Sequence, residues 1–223
     1  MNCGRAISML LLVFFGFFSP PAYAQVNLKT GYNFSILSTP ELNRLISDFD
    51  KTQSYNKSFH ELHWLHGFEG GLRYKKDIHA IELTYQGAGK GFKADGIAPG
   101  TTNAYSDKIK YAIQSIGLGY QLGQGAFGFG TDLQYQWYKF SYTNGISGDE
   151  HKNFQQMTAF KFYLMVTLKG HSGIDFAIQP YMILPSKEYD LNPIAQILGR
   201  DSGGVKEKWI RYGLTVLFYD GAK

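Results

Sequence analysis

Lys208-Trp209-Ile210-Arg211-Tyr212-Gly213-Leu214-Thr215-Val216-Leu217-Phe218 alternates with a period of two. In an extended strand, Ile210, Tyr212, Leu214, Val216 and Phe218 fall on one face, and Arg211, Gly213, Thr215 and Leu217 on the other. Working back along the chain, the same pattern recurs at about 25–35, 61–74, 79–89, 109–122, 126–141, 155–169 and 174–185. The apolar faces hold residues such as Leu28, Phe68, Leu83, Leu118, Phe129, Phe162 and Ile178 and essentially no charge. The opposite faces hold four acids (Glu69, Glu82, Asp132, Asp175) and four bases (Lys29, Arg73, Lys161, Arg211). A strand that is greasy outside and charged inside suits a closed barrel whose solvent is lipid. Each run is long enough for a tilted crossing of about 9–11 residues.

Two places disturb the series. Ile109, Tyr111 and Ile113 are apolar on the parity that is polar further along the same run, which predicts a β-bulge. Pro180 cannot donate to a ladder, so a local irregularity is expected there.

The first 24 residues read as a secretory signal peptide: Arg5, an apolar Ile7 to Phe18, and Ala22-Tyr23-Ala24 as a small-x-small cleavage site. The apolar stretch is shorter than the roughly 18 residues a membrane helix needs. Residues 25–223 are then one barrel domain. The sole cysteine, Cys3, leaves with the leader, so no disulfide, thiolate ligand or cysteine nucleophile is expected. Without Arg5, 21 bases face 18 acids, too mild a balance to imply nucleic acid.

The connections alternate in length. Residues 75–78, 123–125 and 170–173 are tight reversals, and 36–60, 90–108, 142–154 and 186–205 are long. Three short and four long connections are what eight antiparallel strands give when both ends lie on the short-turn side, which in outer-membrane barrels is the periplasm.

The eight-run pattern resembles the small eight-stranded outer-membrane barrels of Gram-negative bacteria, the OmpA/OmpX-like class and its broad "outer membrane protein β-barrel domain" family. The likeness spans residues 25–223 and rests on pattern more than on motif. One motif is sharper: Arg211-x-Gly213-x-x-Val216-x-Phe218 is similar to the terminal signal read by the barrel-assembly machinery. Many such barrels end on the aromatic itself, whereas Tyr219-Asp220-Gly221-Ala222-Lys223 follow here. The resemblance implies an all-β, up-and-down transmembrane barrel in the cell outer membrane, monomeric, with lipid and lipopolysaccharide as surroundings. A secreted lipocalin-like barrel also has eight up-and-down strands, but would have to bury the aromatic faces in an interior only just wide enough for side chains.

The eight inward charges read either as a neutralised polar plug or as a charge-lined conduction path, and narrow diameter with balanced sign favours the plug. His60, His63 and His66 cannot converge on a metal, because on a strand His63 points away from the other two. A lipid-modifying enzyme needs a histidine, a hydroxyl and a carboxylate near the outer rim. His171-Ser172 falls in a tight turn at the other end, and His151 with Asp149 and Glu150 lacks a serine placed by spacing. No cofactor is expected. In the first long loop, Ser38 and Glu41 form a capping-box pattern with Pro40, followed by Leu42, Leu45, Ile46 and Phe49 at helical spacing. The fourth has a second short helix with Ile194, Ile197 and Leu198, stopped by Gly199. These helices either cap the barrel or present a docking patch for a partner protein or lipid-like ligand. Lys90, Lys93, Lys108, Lys110, Lys206 and Lys208 near the outer rim could meet lipopolysaccharide phosphates, diluted by Asp95, Asp107 and Glu207. Three functions stay open: an interaction or envelope-structure barrel, passage of small or hydrophobic solutes, and a lipid-modifying enzyme.

Overall fold

A computed structural model describes residues 25–170, 173–200 and 203–220. The expected leader, the His171-Ser172 pair and residues 221–223 lie outside the described residues. Eight antiparallel strands form the wall: β1 Gln25–Leu37, β2 Trp64–Lys76, β3 His79–Ile97, β4 Ala104–Gln124, β5 Phe127–Thr143, β6 Glu150–Leu168, β7 Ile174–Pro185 and β8 Arg211–Asp220. Each pairs with the next in sequence, and β1 pairs with β8 from Lys29 opposite Tyr219 to Leu37 opposite Arg211. The sheet is therefore closed and leaves no edge to lipid. Tight turns follow from residues that accept positive φ: Asp77 at +56° between paired Lys76 and His79, and Gly125 at +63° between paired Gln124 and Phe127. Val26, Leu28, Phe68, Leu118, Phe127, Phe129 and Leu164 stand exposed on the outside, while Lys29, Glu69, Glu82, Asp132 and Lys161 are buried inside.

The wall is not level. β3, β4, β5 and β6 run 19, 21, 17 and 19 residues, against 13, 13, 12 and 10 for β1, β2, β7 and β8. At about 3.3 Å per residue the four long staves overtop the others by roughly 20 Å. Segments 90–108 and 142–154, expected as long loops, are thus mostly strand, and the true connections are only 98–103 and 144–149.

The expected bulge is absent. β3 and β4 stay in one register from His79 opposite Leu122 to Ile97 opposite Ala104, and β4 with β5 is equally unbroken. Ile109, Tyr111 and Ile113 point inward with Ser115 and Gln121 and are each about 1% exposed. What changes is the solvent, not the register. Above the row of Tyr85, Tyr135 and Trp137 that ends the lipid-facing belt, water replaces lipid outside. The alternation then takes the ordinary soluble sense, with Phe92, Tyr138 and Phe140 buried and Lys93, Lys108, Lys110, Lys139 and Lys152 exposed. At Pro180 the ladder between β6 and β7 is interrupted: pairing runs to Tyr163 opposite Tyr181 and resumes at Val166 opposite Ile178.

The low half of the mouth is completed by the first and fourth loops. They carry helices α1 (Pro40–Asp50) and α2 (Asn192–Ile197). The short strand Tyr55–Lys57 adds to β3, and Lys206–Glu207 pairs with Tyr189–Asp190.

Candidate functional site

The interior has two storeys. In the lower, the Glu69 carboxylate on β2 accepts from the Lys29 amine on β1 (3.3 Å) and the Lys161 amine on β6 (2.9 Å). Lys29 also reaches Glu82 on β3 at 2.6 Å, and Glu82 forms an ion pair with Arg73 at 3.4 Å. Arg73 and Glu82 are direct cross-strand partners. The Arg73 guanidinium also lies 5.1 Å from the Tyr219 ring centre. Five of the eight inward charges therefore form one network across β1, β2, β3 and β6. The other three make no ion pair with it among the described residues, although Asp132 lies directly opposite Lys161 across the β5–β6 ladder. Asp132 on β5 is 1% exposed, and neither of its carboxylate oxygens has a hydrogen-bond donor among the described residues. Asp175 accepts from the Gly170 backbone N–H at the short-turn end. Arg211 is buried one level higher, in the field of the Tyr111 and Tyr138 phenols.

Glycine makes room for this packing. A Cβ on Gly213 would lie 2.3 Å from the Tyr181 ring, and one on Gly130 equally close to Tyr163. The Gly213 of the terminal motif thus receives a lumen tyrosine. In the same motif Val216 and Phe218 face outward and Arg211 inward.

The upper storey is apolar. Ile109, Tyr111, Ile113, Tyr138 and Phe140 from the long staves pack with Leu42, Leu45, Ile46 and Phe49 of α1. Ile194 and Leu198 of the fourth loop join them, with Ile197 partly buried against the same cluster. The faces that a docking patch would need free are turned into the barrel mouth. Trp209 sits at the centre, stacked on Tyr189 (centroids 3.9 Å apart) and edge-on to Tyr111 (5.2 Å).

The α1 N-terminus is not closed by the expected Ser38/Glu41 box. Its N-cap is Thr39, which makes no side-chain cap bond and whose hydroxyl donates to the Leu62 carbonyl. Glu41 instead pairs with Arg44. The cap comes from the fourth loop: the Glu207 carboxylate accepts from the backbone N–H of Glu41 (2.8 Å) and Leu42 (3.3 Å) and from the Trp209 indole (2.7 Å). A carboxylate there meets both the free N–H groups and the positive end of the helix dipole. Arg200, also from the fourth loop, donates to the Asp48 carbonyl near the other end of α1.

A second clasp lies above the belt. The buried Asp107 carboxylate accepts from the phenols of Tyr55 and Tyr142 and from the Gly145 N–H (2.6 Å), joining the first loop, β4, β5 and the third connection. Burial first, then the bond to Asp107, pushes both phenols above their ordinary value. An acid whose folded pKa is raised stabilises the fold below its unfolded pKa, about 10 for tyrosine, and loses that contribution as pH rises beyond it. We expect proteolytic nicking of residues 51–60 to stay constant to about pH 10 and to increase above it, with Tyr55→Phe flattening the rise.

Asp107 and Glu207 were readable only as rim acids from composition. Parity was the missed signal, since Asp107 shares the inward face of Ile109 and Tyr111, and Glu207 that of Trp209. The rim lysines divide accordingly. Lys93, Lys108 and Lys110 point outward from the tall wall, joined by Lys139 and Lys152. Lys90 instead lies over the Trp64 ring at 3.2 Å, and Lys206 and Lys208 are exposed on the fourth loop. His66 packs beside Trp64, His63 pairs with Glu61, and no group of three metal-ligating side chains occurs among the described residues. His151 is exposed on β6, and no hydrogen bond joins it to a serine among the described residues.

No family model matches the chain, and no curated protein matches it in sequence. Among solved structures it is similar to Ail, the attachment invasion locus protein of Yersinia pestis, crystallised with the heparin analogue sucrose octasulfate. The identity is 13% and the TM-score 0.52, covering 88% of this chain and 98% of that one. Neisserial surface protein A follows at 10% identity and TM-score 0.44, covering 90% of this chain and 99% of that one. The outer membrane protease OmpT of Escherichia coli gives 7% and 0.39, covering 88% and 95%. At 13% identity the likeness to Ail is one of fold: this chain has the fold of the small eight-stranded outer-membrane β-barrels.

Proposed function

We propose that this chain is a non-conducting barrel of the outer membrane that works as an interaction and structural element of the cell envelope, through its outer surface and not through its lumen. One observation carries the reading: the interior is filled at two successive levels, by the Lys29–Glu69–Lys161–Glu82–Arg73 ion-pair layer and, above it, by the aromatic core under α1 and α2. Export by residues 1–24 and recognition of Arg211, Gly213, Val216 and Phe218 by the barrel-assembly machinery would bring it there as a monomer. Ail, similar in fold, was crystallised with a sulfated heparin analogue. By analogy the exposed lysines of the tall wall are proposed to meet an anionic partner. Solute passage and lipid modification have no comparable support in the placement of residues.

Planar-bilayer recordings of residues 25–223 are expected to show no steady conductance. A stable open pore of porin size would overturn the proposal.

A further inference from the structure

The tall wall carries a cluster of cations whose neighbours can be read from the register. Lys93 on β3 lies directly opposite Lys108 on β4, and Lys110 lies opposite Ser141, which lies opposite Lys152 on β6. Lys139 on β5 is flanked by Ala112 and Phe154. With strands about 4.8 Å apart, the five anchors fit within roughly 15 Å across the sheet. Among the described residues, Lys152 alone of the five has a carboxylate within ion-pair distance, Glu150 at 2.6 Å. The Glu150 carboxyl is held below its ordinary value by the bond from Lys152 and further by Lys139 and Lys110, so these charges share one field.

Two of the three acids that dilute this cluster in the linear sequence do not do so in the fold. Asp107 is turned inward onto Tyr55 and Tyr142 and Glu207 caps α1, whereas Asp95 lies on the outward face two residues from Lys93, accepts the Ser106 hydroxyl, and leaves the cluster net positive. Like charges directly opposite on a sheet repel, and among the described residues neither Lys93 nor Lys108 makes an ion pair within 4.0 Å. Immediately below, on the same outward face, Tyr85, Ala112, Gln114, Trp137, Lys139 and Phe154 line a mainly apolar groove of about 430 Å³. Its aromatic floor stands at the upper limit of the lipid-facing belt, where tyrosine and tryptophan mark the headgroup level.

We infer that this face of β3 to β6 is a binding site for a phosphorylated glycolipid of the outer leaflet, with phosphate on Lys108, Lys110 and Lys139 and an acyl chain in the groove beneath. The inference rests on the outer-membrane reading and adds the ligand class. A membrane amphiphile suits the site better than a soluble polyanion, because cations and groove adjoin on the side of the wall that lipid contacts, away from the loop tips.

The test uses the purified barrel in zwitterionic detergent at low salt, titrated with lipopolysaccharide, with enzymatically dephosphorylated lipopolysaccharide and with heparin. Wild type is expected to bind lipopolysaccharide saturably. The triple variant Lys108→Gln/Lys110→Gln/Lys139→Gln should bind about 100-fold more weakly, from about fivefold per lysine. Lys206→Gln/Lys208→Gln, on the fourth loop, should bind as wild type, and dephosphorylated lipopolysaccharide should bind wild type as weakly as the intact form binds the triple variant. Equal binding by the triple variant, or indifference to dephosphorylation, would sink the inference. So would lysine-dependent capture of heparin without lipopolysaccharide, which would assign the patch to a soluble polyanion. All three lysines are exposed, so heat-modifiable gel mobility of the triple variant should match wild type and report folding. A porin-sized conductance, by contrast, would defeat the functional proposal and leave this binding result standing.

Discussion

Glu69→Ala is expected to lower folding stability by about 3–5 kcal/mol, the usual cost of removing one partner from a buried ion pair. Glu69 is fully buried and accepts from Lys29, Lys161 and the Thr215 hydroxyl. Without it, Lys161 keeps one hydrogen bond, to the Gln179 amide oxygen at 3.1 Å, and the Asp132 carboxylate on the facing strand position, with which it makes no hydrogen bond. Lys29 still has Glu82, but three buried cations (Lys29, Arg73, Lys161) then face only the Glu82 and Asp132 carboxylates, one negative charge short. The measurement is urea unfolding of the barrel in lipid vesicles, followed by tryptophan fluorescence. Adding Lys161→Met to Glu69→Ala should recover part of the loss, since the stranded cation goes with its partner. A loss below about 1 kcal/mol would mean that water already solvates this layer, as it does an exposed pair, and would weaken the non-conducting reading with it.

Trp209→Ala should be comparably costly, at about 3–5 kcal/mol, but its effect should be confined to the mouth. The indole is 1% exposed, stacks on Tyr189, meets Tyr111 and Tyr138 edge-on or tilted, and donates to Glu207. Its removal leaves a cavity at the centre of the upper core and frees the carboxylate that caps α1. The expected result is rapid protease nicking within 186–210 and 38–60, with the strand spectrum and the folded gel band retained. Trp209→Phe, which keeps ring packing but not the N–H, should fall between. Resistance of both loops in Trp209→Ala would mean that Arg200 and the Leu42–Phe49 face hold the cap without it.

The belt was the most legible part of the chain. Leu28, Phe68, Leu118 and Phe162 declare their face because lipid excludes charge from it absolutely, so parity alone sorts inside from outside. Legibility fails where lipid gives way to water. Ile109, Tyr111 and Ile113 look like a slipped register only if the outside is assumed to be lipid throughout. The same assumption turned the upper part of β3 and the upper ends of β4, β5 and β6 into loops, and it hid Asp107 and Glu207 among surface acids. The Ser38/Glu41 pattern was a sound local reading that lost to a stronger competitor, because a carboxylate 166 residues away offers two bonds to the helix N-terminus and one to the Trp209 indole.

The strand count, the closed antiparallel order and the identity of the inward charges in 208–218 and its seven counterparts were written in the sequence by itself. A period of two under a lipid solvent permits only one set of faces. Only the tertiary structure decided which of those charges meet, how high the wall stands on each side and where the two loop helices go. Those outcomes depend on contacts between strands and loops far apart in the chain. Glu69 finding both Lys29 and Lys161, or Glu207 finding α1, is fixed by the closure of the barrel, which no local pattern encodes.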